Sequence, residues 1–336
     1  MKKIFSKIVI IVTNYNGETM KFKNKNILWY CFNSIKKTKY KNYKCIMVDD
    51  HSQDHSVKYV KTTFPWTKII QNKQNKGYTI TANIGIKYAI KLYKPKYIIL
   101  LNNDVIINDA NWLKKMIDAA ELDEKVGLVT TKLLYPNGNL QCAGSIMKFG
   151  IIPRKIGWNT NTSSNYKGVK EVELIAGAAF LIKSNVINEI GFLDEIFRHG
   201  NDDIEYSIRA RKAGFKLVCA CDAEIIHLEG FTAKTISKNK KDKYFWFPIF
   251  QYQYMYLAFK HFNFIQKIGA IIVILLTSIV SIENKQFKIR NFKIKDKILW
   301  RFLISIKAIN IAYKLHKNKI TEKAAFNYFT KSERKQ

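Results

Sequence analysis

Two acidic clusters bring together the residue types that chemistry needs. The first, Asn102-Asn103-Asp104, follows an apolar run at residues 97–101 and precedes Val105. A carboxylate at the end of a buried strand lies at the rim of a sheet, where α/β folds bind ligands. Hard divalent cations such as Mg2+ or Mn2+ take oxygen ligands and complete their shell with substrate phosphates. The second cluster, Asp202-Asp203-Ile204-Glu205, comes far later in the chain. One cluster can hold a metal–diphosphate while the other supplies a general base. The plain structural alternatives are an Asn-Asp turn for the first and a helix start, whose dipole favours acids, for the second.

Further acids, Asp49-Asp50-His51-Ser52-Gln53-Asp54, follow an apolar run at residues 44–48. Acids in this place can hydrogen-bond a base or ribose. Asp49 and Asp50 are expected to face ligand, with Ser52 or Asp54 capping the next helix. His227 follows a late strand; it can ligate a metal, touch a diphosphate or serve structure alone. No G-x-G-x-x-G follows the first strand and no G-x-x-x-x-G-K-[ST] occurs, which argues against dinucleotide and P-loop chemistry.

Strands and helices must alternate to position these residues. Residues 8–12 are continuously apolar, as in a strand buried on both faces. Further strands are predicted at 44–48, 66–70, 97–101, 126–133, 174–182 (broken at Gly177), 215–220 and 224–226. Helices are predicted at 26–36, 56–62, 79–91, 111–120 and 204–213, the last closed by Gly214. Residues 135–170 read as loops and short hairpins. The pattern is α/β with a mostly parallel mixed sheet.

The 336 residues suffice for two domains, expected at 1–240 and 241–336, and 47% hydrophobic content supports a full core. The formal charge of +31 comes almost entirely from Lys. Abundant Asn and Ile point to an AT-rich genome as its main source. Scarce Arg argues against nucleic acid, whose readers favour the guanidinium fork. The cysteines Cys31, Cys45, Cys142, Cys219 and Cys221 form no zinc spacing and read as buried, reduced thiols. Lys7 interrupts the apolar start, and no small-residue cleavage site follows, so this stretch reads as the first strand.

Residues 244–264 are densely aromatic, and an uncharged run of 15 residues separates Lys267 from Glu283. As a helix that run spans about 22 Å, against a hydrocarbon core of about 30 Å. With the Lys-rich end of the chain, it suggests a helical region lying in or on an anionic membrane surface. An ordinary buried helix is the alternative.

In chain order these pieces resemble the family 2 glycosyltransferases of GT-A fold, especially the bacterial rhamnosyltransferase-like branch. The matching stretches are residues 10–17, Val48-Asp49-Asp50-His51-Ser52-Gln53-Asp54, Asn75-Lys76-Gly77-Tyr78 through Gly85, and Leu101-Asn102-Asn103-Asp104. Residues 177–182, 191–195 and 201–214 complete the set. The resemblance covers roughly residues 5–230. It implies that Thr13, Asp49 or Asp50 contact the donor nucleotide and that Asn75 and Asn83 lie in the segment lining the donor site; Asn16, Asn102 and Asn103 are further substrate-binding candidates. It makes Asp104 the metal-binding acid, with His227 a second metal candidate. Asp203 matches the family's base and Asp202 its acidic partner, usually Glu. Asn103 stands where an acid is often found.

The expectation is therefore an inverting glycosyltransferase using Mg2+ or Mn2+. It would move a sugar from a nucleotide-diphosphate donor to a hydroxyl of a glycan or lipid-linked acceptor in surface polysaccharide synthesis. It would be cytoplasmic and peripheral on the inner face of the plasma membrane, with no nucleic-acid partner. The rivals are a sugar-phosphate nucleotidyltransferase, which lacks its Gly-rich triphosphate loop here, and a basic binding protein whose acids are only caps.

Overall fold

Ile8-Val9-Ile10-Ile11-Val12 is apolar on both sides of the pleat, so its strand needs cover on both faces. The computed structural model, which describes residues 7–161, 163–198, 200–229, 246–283, 286–289 and 295–332, provides it. The first strand, β1, is Ile8–Asn14 and is buried throughout. Ile8, Ile10 and Val12 pack with Leu28 and Phe32 of α1 (Ile27–Lys36) and with Trp112 and Met116 of α4 (Trp112–Glu121). Val9 and Ile11 face the other way. They pack with Ala82 and Ile86 of α3 (Tyr78–Tyr93) and share a core with Tyr206 and Ala210 of α6 (Asp202–Lys212). The result is a sheet between two helical layers. Helix α2, Ser56–Thr63, links two of the strands, and α5, Ser184–Ile190, precedes α6.

The other strands of the main sheet are β2 (Tyr43–Asp49), β3 (Lys68–Gln71), β4 (Tyr97–Asn102), β5 (Val105–Ile107), β6 (Val126–Leu134), β7 (Leu140–Cys142), β8 (Val169–Val172), β9 (Ala179–Lys183) and β10 (Lys216–His227). They form one ten-stranded sheet in the order β8-β10-β6-β9-β4-β1-β2-β3, with β5 on β10 and β7 on β6. Strands β4, β1, β2 and β3 run parallel, β6 and β10 run parallel, and β9 is antiparallel between the two sets.

Several predicted elements change in ways that matter. The broken strand at 174–182 survives only as β9, because residues 174–177 leave the ladder to make other contacts. The two late pieces at 215–220 and 224–226 are one strand, β10, with an irregularity between Ala220 and Glu224. β5 was not expected; three residues show no periodicity. All five cysteines are buried and free.

The chain divides into two compact units, Met1–Met147 with Pro153–Thr235, and Lys148–Ile152 with Ile236–Gln336. The second holds helices α7 (Trp246–His261), α8 (Phe264–Ile279), α9 (Lys295–His316) and α10 (Glu322–Ser332). Part of the aromatic run fills this unit's core: Tyr252, Tyr256 and Phe262 are buried, and Tyr252 stacks on Phe329, while Phe250 and Phe264 are exposed. Tyr244 and Phe245 lie outside the described residues. The uncharged run is not one helix either. α8 ends at Ile279, and Val280–Glu283 pairs antiparallel with Gln286–Ile289. Among the described residues no helix is long and apolar enough to cross a membrane.

Candidate active site

The register of the parallel strands gathers the first residues of the site. Thr13 pairs with Val48 on one side and Asn102 on the other, and Asn14 pairs with Asp49. The carboxyl ends of β1, β2 and β4 therefore share one sheet edge. There Asp49, fully buried, accepts from Asn14 Nδ2 at 2.7 Å, Ser52 N at 2.9 Å and Ser52 Oγ at 2.6 Å. Asn103 Nδ2 donates to Asn14 Oδ1 at 2.7 Å. Asn103 thus supplies a donor where an acid could not, which is the physical sense of its departure from the family pattern. Asn16, in the left-handed region at φ 52°, donates its N–H to Ser52 Oγ and accepts from Gln53 N. Ser52 is absorbed in this network and does not cap α2; Asp54 Oδ1 instead takes the Ser56 N–H at 2.9 Å.

Asp50 organises the loop before α3. It accepts from Asn72 Nδ2 at 3.0 Å and from Lys76 N and Gly77 N, each at 2.8 Å. Gly77 sits at φ +85°, a conformation that side chains rarely adopt, and a Cβ there would strike Arg198. Arg198 Nη2 in turn donates to the Asn75 backbone and side-chain oxygens, both at 3.0 Å. Asn83 is buried. It grips the Leu193 backbone from both sides, accepting at 3.1 Å and donating at 2.9 Å, and donates to Glu195 Oε1 at 3.2 Å. Thr79 Oγ1 donates to Phe197 O. Asn75, Thr79 and Asn83 thus tie the loop before α3, and α3 itself, to the segment leading into α6.

Asp104 follows β4, and its carbonyl accepts from Leu228 N at 3.0 Å. Val105 pairs with His227, the last residue of β10. Asp104 Oδ1 stands 3.3 Å from His227 Nε2 and is buried with no hydrogen bond. A buried carboxylate oxygen facing a ring nitrogen is a pair of ligand types that a divalent cation takes. Among the described residues no group of three or more His, Cys, Asp or Glu gathers to hold a metal unaided. A cation here would hence take remaining ligands from a substrate diphosphate or from water.

Asp202 and Asp203 lie inside the first turn of α6, two residues earlier than the sequence pattern places the helix. Asp203 Oδ2 accepts from Gly177 N and Oδ1 from Ile204 N, both at 2.9 Å. Burial pushes the Asp203 carboxyl above the usual aspartate range. Asp202 is pushed well above it, by burial and then by the charge of Asp203. Tyr78, at the start of α3, is pushed up by burial and by both acids, which puts α3's start within electrostatic reach of the pair. The helix itself is anchored by Glu205, which takes Arg209 Nε on both oxygens at 2.9 Å, while Arg209 Nη2 holds Phe192 O at 2.8 Å.

A two-residue bridge joins the two acidic clusters. Asn102 N donates to Ala178 O at 2.9 Å, and the adjoining Gly177 N donates to Asp203 Oδ2. Ala178 carries the β9–β4 pairing one residue past Ala179, and Gly177 turns its N–H to Asp203. These two bonds fix the Asp203 carboxylate beside the end of β4, where Asp104 follows. Residues 9–182 match the family model described as Glycosyl transferase family 2, over half of the chain. The chain belongs to glycosyl transferase family 2.

This family 2 chain is 28% identical over 155 residues to the O-antigen biosynthesis protein RfbC of Myxococcus xanthus, covering 42% of this chain and 12% of that one. It is 23% identical over 158 residues to the low-salt glycan biosynthesis hexosyltransferase Agl10 of Haloferax volcanii, covering 47% and 50%. The chain thus spans half or less of the length of these curated relatives. The mannosyltransferase PcManGT from Pyrobaculum calidifontis, solved with GDP-Man and Mn2+, superposes with a TM-score of 0.52. It is 13% identical, with 93% of this chain and 76% of that one covered, and so establishes the GT-A-type fold.

Sequence reasoning missed Gln141, Glu229 and Lys155, which stand behind His227. His227 Nδ1 lies 2.8 Å from Gln141 Oε1, Gln141 Nε2 donates to Glu229 Oε2 at 3.1 Å, and Lys155 Nζ pairs with Glu229 Oε1 at 3.1 Å. No spacing in the sequence announces this chain, and two of its members come from the loop-rich stretch at 135–170.

Proposed function

We propose that this protein is a metal-dependent, inverting glycosyltransferase that moves a sugar from a nucleoside-diphosphate donor to a hydroxyl of a glycan or lipid-linked acceptor. The observation that supports this reading is the Asn102–Ala178 and Gly177–Asp203 bridge, because it brings Asp203, the candidate base, beside the end of β4, where Asp104, the candidate metal ligand, follows. The names of the relatives support glycan synthesis as the setting. Asp104 and His227 would hold Mn2+ or Mg2+, which neutralises charge on the diphosphate leaving group when bound. Thr13, Asn16, Asn102 and Asn103 form the rim over which the nucleotide lies. Asp49 and Asp50, with their oxygens committed internally, shape that rim, and Asn75 and Asn83 hold the loops flanking it. Asp203 takes the proton of the acceptor hydroxyl as it attacks opposite the leaving group, which inverts the anomeric centre. Burial raises the proton affinity of that carboxylate, and Asp202 is its buried acidic neighbour, itself pushed up by burial and by the Asp203 charge. The fixed frame holds both substrates in line and removes part of the entropic barrier.

The test is a panel of nucleotide sugars with Mn2+, read by released nucleoside diphosphate and by calorimetry, with product stereochemistry by NMR. One donor is expected to bind, and EDTA to abolish the metal-dependent part. Asp104→Ala is expected to weaken metal-dependent donor binding by at least about tenfold. Equal donor affinity in that variant, with and without EDTA, refutes the metal role. A product of retained configuration refutes inversion.

The C-terminal unit supports docking on an anionic membrane, and with it a peripheral location on the inner face of the plasma membrane. Between Ile268 and Leu276, α8 carries only apolar residues. Ala270 and Ile274 are buried, while Ile265, Ile268, Ile272 and Leu276 form an exposed stripe, continued by Phe264. A helix too short to span, apolar on its free face and set in a basic unit, suits the plane of an anionic interface. Residues 236–336 carry 21 Lys and Arg against 5 Asp and Glu. That excess repels a second copy and attracts anionic headgroups.

A further inference from the structure

The chain His227–Gln141–Glu229–Lys155 fixes which nitrogen of His227 carries the proton. Glu229, paired with Lys155, has only acceptors to offer. The Gln141 amide must therefore turn its NH2 toward Glu229 Oε2, which leaves its Oε1 toward His227. At 2.8 Å, that oxygen requires a donor, so Nδ1 carries the hydrogen. The neutral imidazole then has its lone pair on Nε2, aimed at the buried Asp104 Oδ1 3.3 Å away. Two lone pairs held face to face form a site waiting for a cation. Ligating histidines generally hold their tautomer through such a partner on the other nitrogen.

We infer that Gln141 is a positioning residue that locks His227 as the Nδ1–H tautomer, so that Nε2 and Asp104 together present lone pairs to a divalent cation. This rests on the metal reading above. Gln141 sits in β7, which pairs with β6, and β6 pairs in turn with β10, so three strands carry the relay to His227.

The experiment uses full-length protein labelled with 15N-histidine, metal-free, at a pH where His227 is neutral, with its signals assigned by comparison with His227→Gln. Wild type is expected to show the Nδ1–H pattern at His227, and Gln141→Leu the Nε2–H form that free histidine prefers in water. Mn2+ alone is then titrated and followed by EPR. Affinity is expected to fall about 10–100-fold in Gln141→Leu. An Nε2–H pattern in the wild type overturns the inference. So does unchanged Mn2+ affinity in Gln141→Leu while Asp104→Ala loses it, and that outcome leaves the metal reading intact. A wild type that binds no Mn2+ overturns the metal reading and this role with it.

Discussion

At the scale of single residues, Asp203 does two things at once. Its carboxylate holds the Gly177 and Ile204 N–H groups, and burial keeps its proton affinity above that of an ordinary aspartate. A base must be deprotonated to act, so raising its pKa moves the acid limb of the rate profile upward. The kcat is expected to rise with pH along a limb centred above the free aspartate value of about 3.9. Asp203→Asn is expected to abolish that limb, lower transfer about 10²–10⁴-fold and leave donor affinity unchanged. Full activity in this variant sinks the assignment of the base. The family model ends at residue 182, ahead of this pair. The assignment of Asp203 therefore stands on the resemblance of the motif and on the bridge to β4.

At the scale of elements, the departure of residues 174–177 from the sheet is what builds the site. A continuous strand would have sent Gly177 N to a neighbouring strand and left Asp203 without its partner. Gly177 is needed there because a Cβ would lie 2.9 Å from Asp203 Oδ2 and 3.2 Å from its Cβ. Gly177→Ala is expected to displace the carboxylate, cutting kcat about tenfold or more, since a misplacement near 1 Å can cost about a hundredfold. Donor binding is expected to persist, because the rim at β1, β2 and β4 is untouched. A normal kcat in the alanine variant, or a parallel loss of donor affinity, contradicts this. α3 acts similarly at longer range. Through Thr79 and Asn83 it clasps residues 193–197, so this helix also steers the approach to α6.

At the scale of the whole molecule, charge and exposed apolar surface point the same way. The net charge of +31 and the stripe on α8 together predict binding to vesicles containing phosphatidylglycerol but not to pure phosphatidylcholine. Binding is expected to weaken at high salt, where surface charge is screened. Replacing Ile268 and Ile272 together by Ser is expected to reduce vesicle binding markedly. Turnover of a soluble acceptor should remain, as neither residue belongs to the catalytic unit. Equal sedimentation of both variants with anionic vesicles removes the α8 face from the account.

The sequence by itself determined the family, the α/β class and the order of the elements. Continuous apolar runs force strands buried on both faces, and acids placed after such runs must emerge at the sheet edge. It also carried the identity of Asp104, Asp203 and His227 as reactive residue types. Tertiary structure alone decided that Asp49, Asp50 and Asn83 spend their polar atoms on internal bonds, because hydrogen bonds between distant residues leave no local pattern. It alone set Gln141 and Glu229 behind His227, through pairing of β7 with β6 and of β6 with β10. It also decided that Tyr252, Tyr256 and Phe262 of the aromatic run are core and that α8 keeps one apolar face free. Periodicity reports that a helix is apolar; only packing reports which of its faces is covered.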